Sequence, residues 1–390
     1  MKKYLLFFVC ITALVLTLVA CGEADPVIND TETEEMTDTE IITDTDTETE
    51  TEPVETQPVL VIPEYTNPLT GLGTTREDLH RSRPVAIMIN NLRGALPQEG
   101  IADCDIMYEC LVEGGITRLM AVVSDYEALG AIGSIRSCRH YYLDLAKNYD
   151  AIYVHAGGSD QGYIEIKNRG VNNLDGVNMY VPNMFYRDEE RLKVMSYEHT
   201  LMTDGERIAD GIKFKKYRTE LLDDFKDKEA FSFVEFGTKR ELSGENAERV
   251  LLPYSKYQTA RFDYDKLTNS YYRFQFVDAP HIDGTTGEQI SFTNILILFC
   301  DVKAVGDAAG HLDITTENEM GEGYYISGGK AEEITWSKPT EDSPTVYYGA
   351  DGSELSVNRG KTFISIFPEY NRQNIDFNYS LSGTATENND

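Results

Sequence analysis

Eight consecutive residues, "GSIRSCRH" at 133–140, bring two serines, two arginines and a histidine together in a chain whose formal net charge is -31. Planar guanidinium groups bind phosphate or carboxylate through paired hydrogen bonds, and serine hydroxyls can add further donors. The stretch lies between an apolar run and a helical pattern, where the free N–H groups of a helix start attract anions. The candidate ligand-binding residues of this loop are Ser134, Arg136, Ser137, Arg139 and His140.

A second polar loop, "HAGGSD", follows the next apolar strand pattern. It supplies a proton carrier, a flexible turn and a helix N-cap, and its candidate residues are His155, Gly157, Gly158, Ser159 and Asp160. If the strands that precede the two loops run parallel, both loops lie at the same carboxyl edge of a sheet, where ligands of open α/β sheets bind.

The hairpin-like stretch "YECLVEGGITR" adds Glu109, Glu113 and Arg118 to the candidate site. Paired carboxylates can do acid–base work when their surroundings separate their pKa values. We interpret these two mainly as partners of the hairpin and of nearby arginines. Three interpretations of the whole group remain open: binding of an anionic or polar ligand, a structural ion-pair network, and catalysis.

The elements that must position these residues change in type along the chain. Residues 64–205 alternate strand and helix patterns and predict an α/β domain with a mixed, partly parallel sheet. Residues 206–250 are charged and weakly periodic, which is typical of a linker with helical pieces. Residues 251–370 carry short strands and Asp-Gly or Gly-Gly turns, which predict a mainly-β domain built as a small antiparallel sandwich or barrel. A flexible tail is predicted for 371–390.

The N-terminus indicates the compartment. Lys2 and Lys3 precede an apolar run that ends in "LVAC", which predicts a lipoprotein signal peptide over 1–20 and lipidation, including palmitate, at Cys21. An uncleaved membrane anchor is the alternative. Residues 21–63 are rich in Thr, Asp and Glu without Lys or Arg, so we expect a disordered stalk. We therefore expect a cell-membrane protein that is lipid-anchored on the extracytoplasmic face.

Charge and cysteine content exclude several functions. An acidic chain with no basic patch has no means of neutralising nucleic-acid phosphates, so we expect no nucleic-acid partner. The spacings of Cys104, Cys110, Cys138 and Cys300 match no zinc pattern, and we expect free buried thiols, with a Cys104–Cys110 bridge as the alternative. The histidines form no metal-ligand pair. We therefore predict no metal and no cofactor.

The blocks "RPVAIMINN", "VEGGITR", "GSIRSCR", "HAGGSD", "ITWSK" and "GKTFISIFP" resemble the YerB-like lipoproteins of Gram-positive bacteria over about residues 64–370. The resemblance implies a two-domain, membrane-tethered envelope protein and brings no established reaction. We therefore predict a lipoprotein that binds an anionic or polar cell-wall component or an envelope protein, without catalysis.

A shorter stretch of the chain is similar to another class of protein. The order of strand, G-S-x-R loop, helix and "HAGG" turn resembles the LytR–CpsA–Psr phosphotransferases, whose arginines hold a polyprenyl pyrophosphate. The alternative function is therefore an enzyme that acts on a lipid-linked or phosphorylated glycan.

Overall fold

The computed structural model describes residues 61–380, which fall within one compact unit. The predicted signal peptide, Cys21, nearly all of the predicted stalk and residues 381–390 lie outside the described residues. No helix within 61–380 is long and apolar enough to cross a membrane.

The described residues form short strands and four α-helices. The first part of the chain contains β1 (Tyr65–Thr66), β2 (Gly73–Thr74), β3 (Val85–Asn90), β4 (Ile106–Leu111), β5 (Thr117–Val123), β6 (Ile132–Gly133), α1 (His140–Lys147), β7 (Ile152–His155), α2 (Asp160–Asn168), β8 (Asn173–Asp175), β9 (Tyr186–Arg187), α3 (Glu189–Val194), β10 (Leu201–Thr203) and α4 (Gly205–Lys215). The second part contains β11 (Ser232–Phe233), β12 (Glu245–Asn246), β13 (Arg249–Pro253), β14 (Thr259–Asp265), β15 (Ser270–Gln275), β16 (Ala279–Pro280), β17 (Ser291–Phe292), β18 (Asn294–Cys300), β19 (Val302–Ala304), β20 (Leu312–Ile314), β21 (Asn318–Ser327), β22 (Lys330–Lys338), β23 (Val346–Tyr348), β24 (Ser356–Val357) and β25 (Thr362–Pro368).

Within residues 61–380, an 11-stranded mixed sheet has the order β12-β22-β21-β18-β25-β4-β5-β3-β7-β8, with β23 paired to β22. β3, β7 and β8 are parallel to one another, and β4, β25 and β18 also form parallel pairs. β5 is antiparallel to both of its neighbours, β3 and β4. The predicted fold class, a partly parallel α/β region followed by a mainly-β region, is confirmed.

The two parts of the chain share this sheet, which sequence patterns did not predict. β25, from the second part, lies between β4, from the first part, and β18. Every residue of β4 and β25 is buried, which is expected of strands covered on both faces. The strands of residues 251–370 therefore do not form a sandwich or barrel of their own, because several of them extend the sheet of the first part.

Different layers cover the two faces of β4. Tyr108 faces the end of α1, where its hydroxyl bonds that of Tyr149 at 2.6 Å. A five-stranded antiparallel sheet, β13 to β17, covers the other face. There Phe262 packs on Phe363 with ring centroids 4.8 Å apart. Since side chains alternate along a strand, Glu109 points toward this second sheet.

The chain continues to contact the fold beyond residue 371, where the sequence predicts the start of a flexible tail. The backbone of Leu251 and Asp376 exchanges hydrogen bonds of 2.7 and 3.2 Å. Phe377 is buried, and its ring lies edge-on to Tyr324 with centroids 5.0 Å apart. Backbone pairing and an aromatic anchor therefore hold the chain to the fold beyond residue 371.

Trp336 and four cysteines are buried in the fold. Trp336 is 1% exposed, and its indole N–H donates to the Glu322 carbonyl at 3.0 Å, so it belongs to the core. The expectation of free buried thiols is confirmed, and it concerns Cys104, Cys110, Cys138 and Cys300.

Candidate functional site

The β4–β5 hairpin holds one carboxylate between two arginines. Glu113 follows β4 at the turn of Gly114 and Gly115, which have positive φ angles of 71° and 74° that favour glycine. Arg139 Nε donates to Glu113 Oε2 at 3.0 Å, and its Nη2 donates to Oε1. Arg118 Nη2 lies 3.5 Å from the same Oε1. Two guanidinium groups therefore share one carboxylate.

Burial is unequal within this cluster of Glu113, Arg118 and Arg139, which we call the hairpin cluster. The side chains of Arg118 and Arg139 are 4% and 7% exposed, whereas that of Glu113 is 26% exposed. Burial raises the pKa of Glu113, but the hydrogen bonds from Arg139 and the charge of Arg118 outweigh it and lower that pKa overall. The cluster thus holds an ionised carboxylate at the surface and carries one surplus positive charge beneath it.

The loop 133–139 lies along the ends of β3 and β7. Arg136 donates its backbone N–H to the Met88 carbonyl and accepts from the N–H of Ala156, both at 2.9 Å. Its guanidinium pairs with Glu198 at 3.1 Å, and the Glu198 side chain is 55% exposed. The Ser137 carbonyl accepts a 2.6 Å hydrogen bond from Arg118, which connects the loop to the hairpin cluster.

The two candidate loops meet, but by a different route from the one expected. β5 is antiparallel to β3 and β3 is parallel to β7, so the strand before the first loop is not parallel to β7. Residues 124–132 return the chain to the end of the sheet at which β3 and β7 finish. There the Cys138 N–H donates to the Gly157 carbonyl at 2.9 Å. The loops therefore share the carboxyl edge of β3 and β7.

The second loop is held by hydrogen bonds within the fold. His155 is buried, with Nδ1 2.8 Å from the Gly157 carbonyl and Nε2 2.9 Å from the Asn173 amide. Burial lowers the pKa of His155. Asp175 accepts from Gly157 N–H and from the Tyr163 hydroxyl, both at 2.8 Å. These contacts give His155 a structural partner on each ring nitrogen.

The remaining candidates of the two loops lie apart from the hairpin cluster. Ser159 caps α2 by accepting from Gly162 N–H at 3.1 Å, and Asp160 occupies the first turn of that helix. His140 Nε2 lies 2.9 Å from Asp313. Ser134 is buried, and its hydroxyl has no hydrogen-bond partner among residues 61–380. Gly158 lies beside Cys138, in an isolated bridge between the two loops.

Glu109 belongs to a different cluster from Glu113. Its Oε2 accepts a 2.6 Å hydrogen bond from Arg273 on β15, and both side chains are 0% exposed. Its Oε1 accepts from Thr117 at 2.5 Å and from Asn91 at 3.1 Å. All of its polar atoms are therefore occupied inside the protein.

This buried network extends through His281. Arg273 Nη1 donates to His281 Nδ1 at 2.5 Å, so Nε2 carries the proton and donates to Gln98 Oε1 at 2.8 Å. Burial and the charge of Arg273 lower the pKa of His281 well below its usual value. We call the group of Glu109, Arg273, His281 and Gln98 the buried network. Sequence reasoning missed its last three members.

No group of three or more His, Cys, Asp or Glu side chains within residues 61–380 is arranged to hold a metal ion. Arg136 and the hairpin cluster instead present guanidinium groups whose carboxylate partners, Glu198 and Glu113, are more exposed than the arginines themselves.

Comparison with known proteins identifies the family. Residues 69–218 match the N-terminal domain, and residues 250–364 the C-terminal domain, of DUF3048, described as a protein of unknown function. The chain belongs to the DUF3048 family. It is 28% identical over 312 residues to a Bacillus subtilis (strain 168) protein named "Putative lipoprotein YerB", covering 79% of this chain and 88% of that protein.

A solved structure supports the DUF3048 assignment. The crystal structure of YerB protein from Bacillus subtilis matches with a TM-score of 0.68 and 26% identity, over 80% of this chain and 99% of that one. Within the DUF3048 matches, the hairpin cluster lies wholly in the N-terminal segment, whereas the buried network joins the N-terminal segment to the C-terminal one.

Proposed function

We propose that this DUF3048 protein is a lipoprotein anchored through Cys21 on the extracytoplasmic face of the cell membrane, where it binds an anionic or polar envelope component or an envelope protein without catalysis. The name of the Bacillus subtilis relative and the "LVAC" motif support the anchor. The resemblance to YerB-like lipoproteins supports the envelope location.

One observation carries the binding proposal. Arg118 and Arg139 share the single carboxylate of Glu113, and that carboxylate is the most exposed member of the three. Burying two guanidinium groups with one anion is costly unless a second anion is available nearby. A phosphate or carboxylate group that approaches the hairpin would supply it.

We include Arg136 in the proposed site because its chain neighbour Ser137 binds Arg118 through the backbone carbonyl. Its partner Glu198 is largely exposed, and exposed ion pairs contribute only about 0–1 kcal/mol, so an incoming anion can displace it at low cost. Paired N–H donors of arginine match the geometry of phosphate and carboxylate. The site therefore fits a small anionic group presented at the surface of a larger envelope ligand.

Equilibrium binding of the full chain to inorganic phosphate and to a glycerol-phosphate oligomer tests the proposal. Arg136→Ala should weaken binding, and Glu113→Gln should strengthen it because both buried arginines lose their internal anion. Lys266→Ala is the matched control, because this lysine is 75% exposed and lies in the turn between β14 and β15. If Glu113→Gln leaves anion affinity unchanged while the protein remains folded, the hairpin cluster is a structural ion pair and the proposal is wrong.

The anchor has its own test. Cys21→Ala should abolish incorporation of labelled fatty acid and release the protein from the membrane fraction or leave it unprocessed. Normal labelling of the variant would contradict lipidation at this residue.

A further inference from the structure

A small apolar cavity lies by the start of β3, at the opposite end of that strand from the backbone contact of Arg136. It measures about 160 Å³ and lies between the first strands, the linker and the second part of the chain. Its apolar lining consists of Pro68, Leu69, Pro84, Tyr149, Leu221, Phe225, Ala230 and Pro344. A cavity of roughly 150 Å³ with an apolar lining can hold one benzene ring.

Two uncharged polar residues at its wall, Asn148 and Ser124, are already engaged in hydrogen bonds. Asn148 Oδ1 accepts from Lys338 at 3.1 Å and from Thr345 at 3.3 Å. Ser124 donates to Asp105 at 2.7 Å through both its hydroxyl and its backbone N–H. The cavity therefore offers an incoming group apolar contact and few free hydrogen bonds, which favours a ring or a branched alkyl group.

An acidic cleft adjoins this cavity. It measures about 680 Å³ and shares Lys228, Glu229, Ala230 and Pro344 with the smaller cavity. The carboxylates that line the two are Asp224, Asp227, Glu229 and Glu354. The only lysine or arginine that lines either of them is Lys228.

Two of these carboxylates have cationic neighbours in the fold. Asp227 lies 3.3 Å from Arg81, and Glu229 lies 3.9 Å from Arg359. Asp224 and Glu354 complete the acidic rim. A carboxylate ligand would meet like charge there, whereas an ammonium or guanidinium group would meet opposite charge.

We propose that this cavity and cleft form a second binding site, for a ligand that carries a compact apolar group next to a positive charge. The apolar group occupies the 160 Å³ cavity and the cation lies over the rim beside Asp224. This chemistry is opposite in sign to that of the hairpin cluster, so the two sites select different ligands. This combination of an apolar group and a positive charge occurs in a free aromatic amine. It also occurs in a peptide in which an apolar residue lies next to a basic one.

Fluorine NMR with para-fluorobenzylamine and the detergent-solubilised full chain tests the site. A ligand of this size at ordinary ligand efficiency should bind with a dissociation constant in about the millimolar range. para-Fluorobenzoate, which has the same ring and the opposite charge, should bind at least about tenfold more weakly. A blocked Lys-Phe-Lys peptide that displaces the amine assigns the site to peptides, and failure to displace it assigns the site to small amines.

Variants locate the binding. Ala230→Leu should fill the cavity and abolish the saturable shift, whereas Ala309→Leu on an exposed loop should not. Asp224→Asn should lower the affinity for para-fluorobenzylamine by about threefold. Lys228→Gln should raise that affinity by a similar factor, as expected of exposed charges. Asp223→Asn is the matched control, because this 98% exposed neighbour does not line the cavity.

The rim variants keep the test decisive if Ala230→Leu fails to fold. Equal binding of amine and benzoate, or equal effects of the Asp224 and Asp223 substitutions, would overturn the proposal. Absence of a saturable shift for the wild-type chain would overturn it as well.

Discussion

Glu109 and Glu113 stand four residues apart on one hairpin, and each is bound by arginine, yet their surroundings differ in kind. Glu109 and Arg273 are 0% exposed, and both oxygens of the carboxylate are occupied by internal donors. Glu113 is 26% exposed and is shared by two arginines. The same residue types thus form a fully satisfied internal pair at Glu109 but leave one positive charge uncompensated at Glu113, and the proposed ligand role rests on that difference.

The largest expected effect concerns the buried network. Arg273→Met leaves the Glu109 carboxylate buried without its cation, so the free energy of unfolding should fall by about 3–5 kcal/mol. Urea denaturation measures it. The double variant Glu109→Gln, Arg273→Met should lose less than the sum of the two single losses. Additive losses would show that the two residues do not act as a pair.

The next effect is a dependence of stability on pH. Because burial and Arg273 lower the pKa of His281, the unfolded chain binds a proton that the folded chain does not below about pH 6.5. Stability should therefore fall on acidification from that pH, by about 1.4 kcal/mol per pH unit for this histidine. Urea titrations between pH 7.5 and 5.5 measure the slope.

His281→Gln supplies the control for that slope. The slope in this variant should be smaller by the contribution of one proton. An unaltered slope in His281→Gln would mean that other groups cause the acid sensitivity.

A smaller effect is expected at the hairpin cluster. Arg139→Ala removes two hydrogen bonds from Glu113 but leaves Arg118 as its partner. The free energy of unfolding should therefore fall by about 1 kcal/mol, which is well below the fall expected for Arg273→Met. A loss as large as that of Arg273→Met would place the hairpin cluster with the buried network and count against a ligand role.

The smallest effect is expected at Arg136. Its pair with the exposed Glu198 should contribute so little that Arg136→Ala changes stability by no more than about 0.5 kcal/mol. Thermal unfolding and phosphate binding, measured on the same variant, distinguish a ligand-binding role of Arg136 from a structural one. A clear loss of stability without loss of anion affinity would make Arg136 structural.

Local pattern predicted much of the fold. The apolar runs that became β3, β4, β5 and β25, the Gly-Gly hairpin after β4 and the cap at Ser159 follow from residue types and spacing. The expected meeting of the two loops at one edge was reached through a wrong premise, because the antiparallel direction of β5 depends on pairings distant in sequence.

The buried network could not have been predicted in the same way. Alternation in "YYRFQF" favours Tyr272, Phe274 and Phe276 as the inward side chains, but the structure buries Tyr271, Arg273 and Gln275. Only the presence of Glu109 on the facing sheet, supplied by the other part of the chain, makes that register favourable. Pairing across such a sequence distance leaves no local signal.

The position of β25 has a consequence for biosynthesis. This strand follows all the other described strands in chain order, yet it lies between β4 and β18 in the middle of the sheet. The parallel edge of β4 stays open until residues 362–368 emerge, even though domains generally fold from the N-terminus first during synthesis. A chain interrupted before this strand therefore presents two unpaired strands at once, and unpaired strands invite association with other chains. Insertion of β25 between β4 and β18 is therefore the step that closes the large sheet.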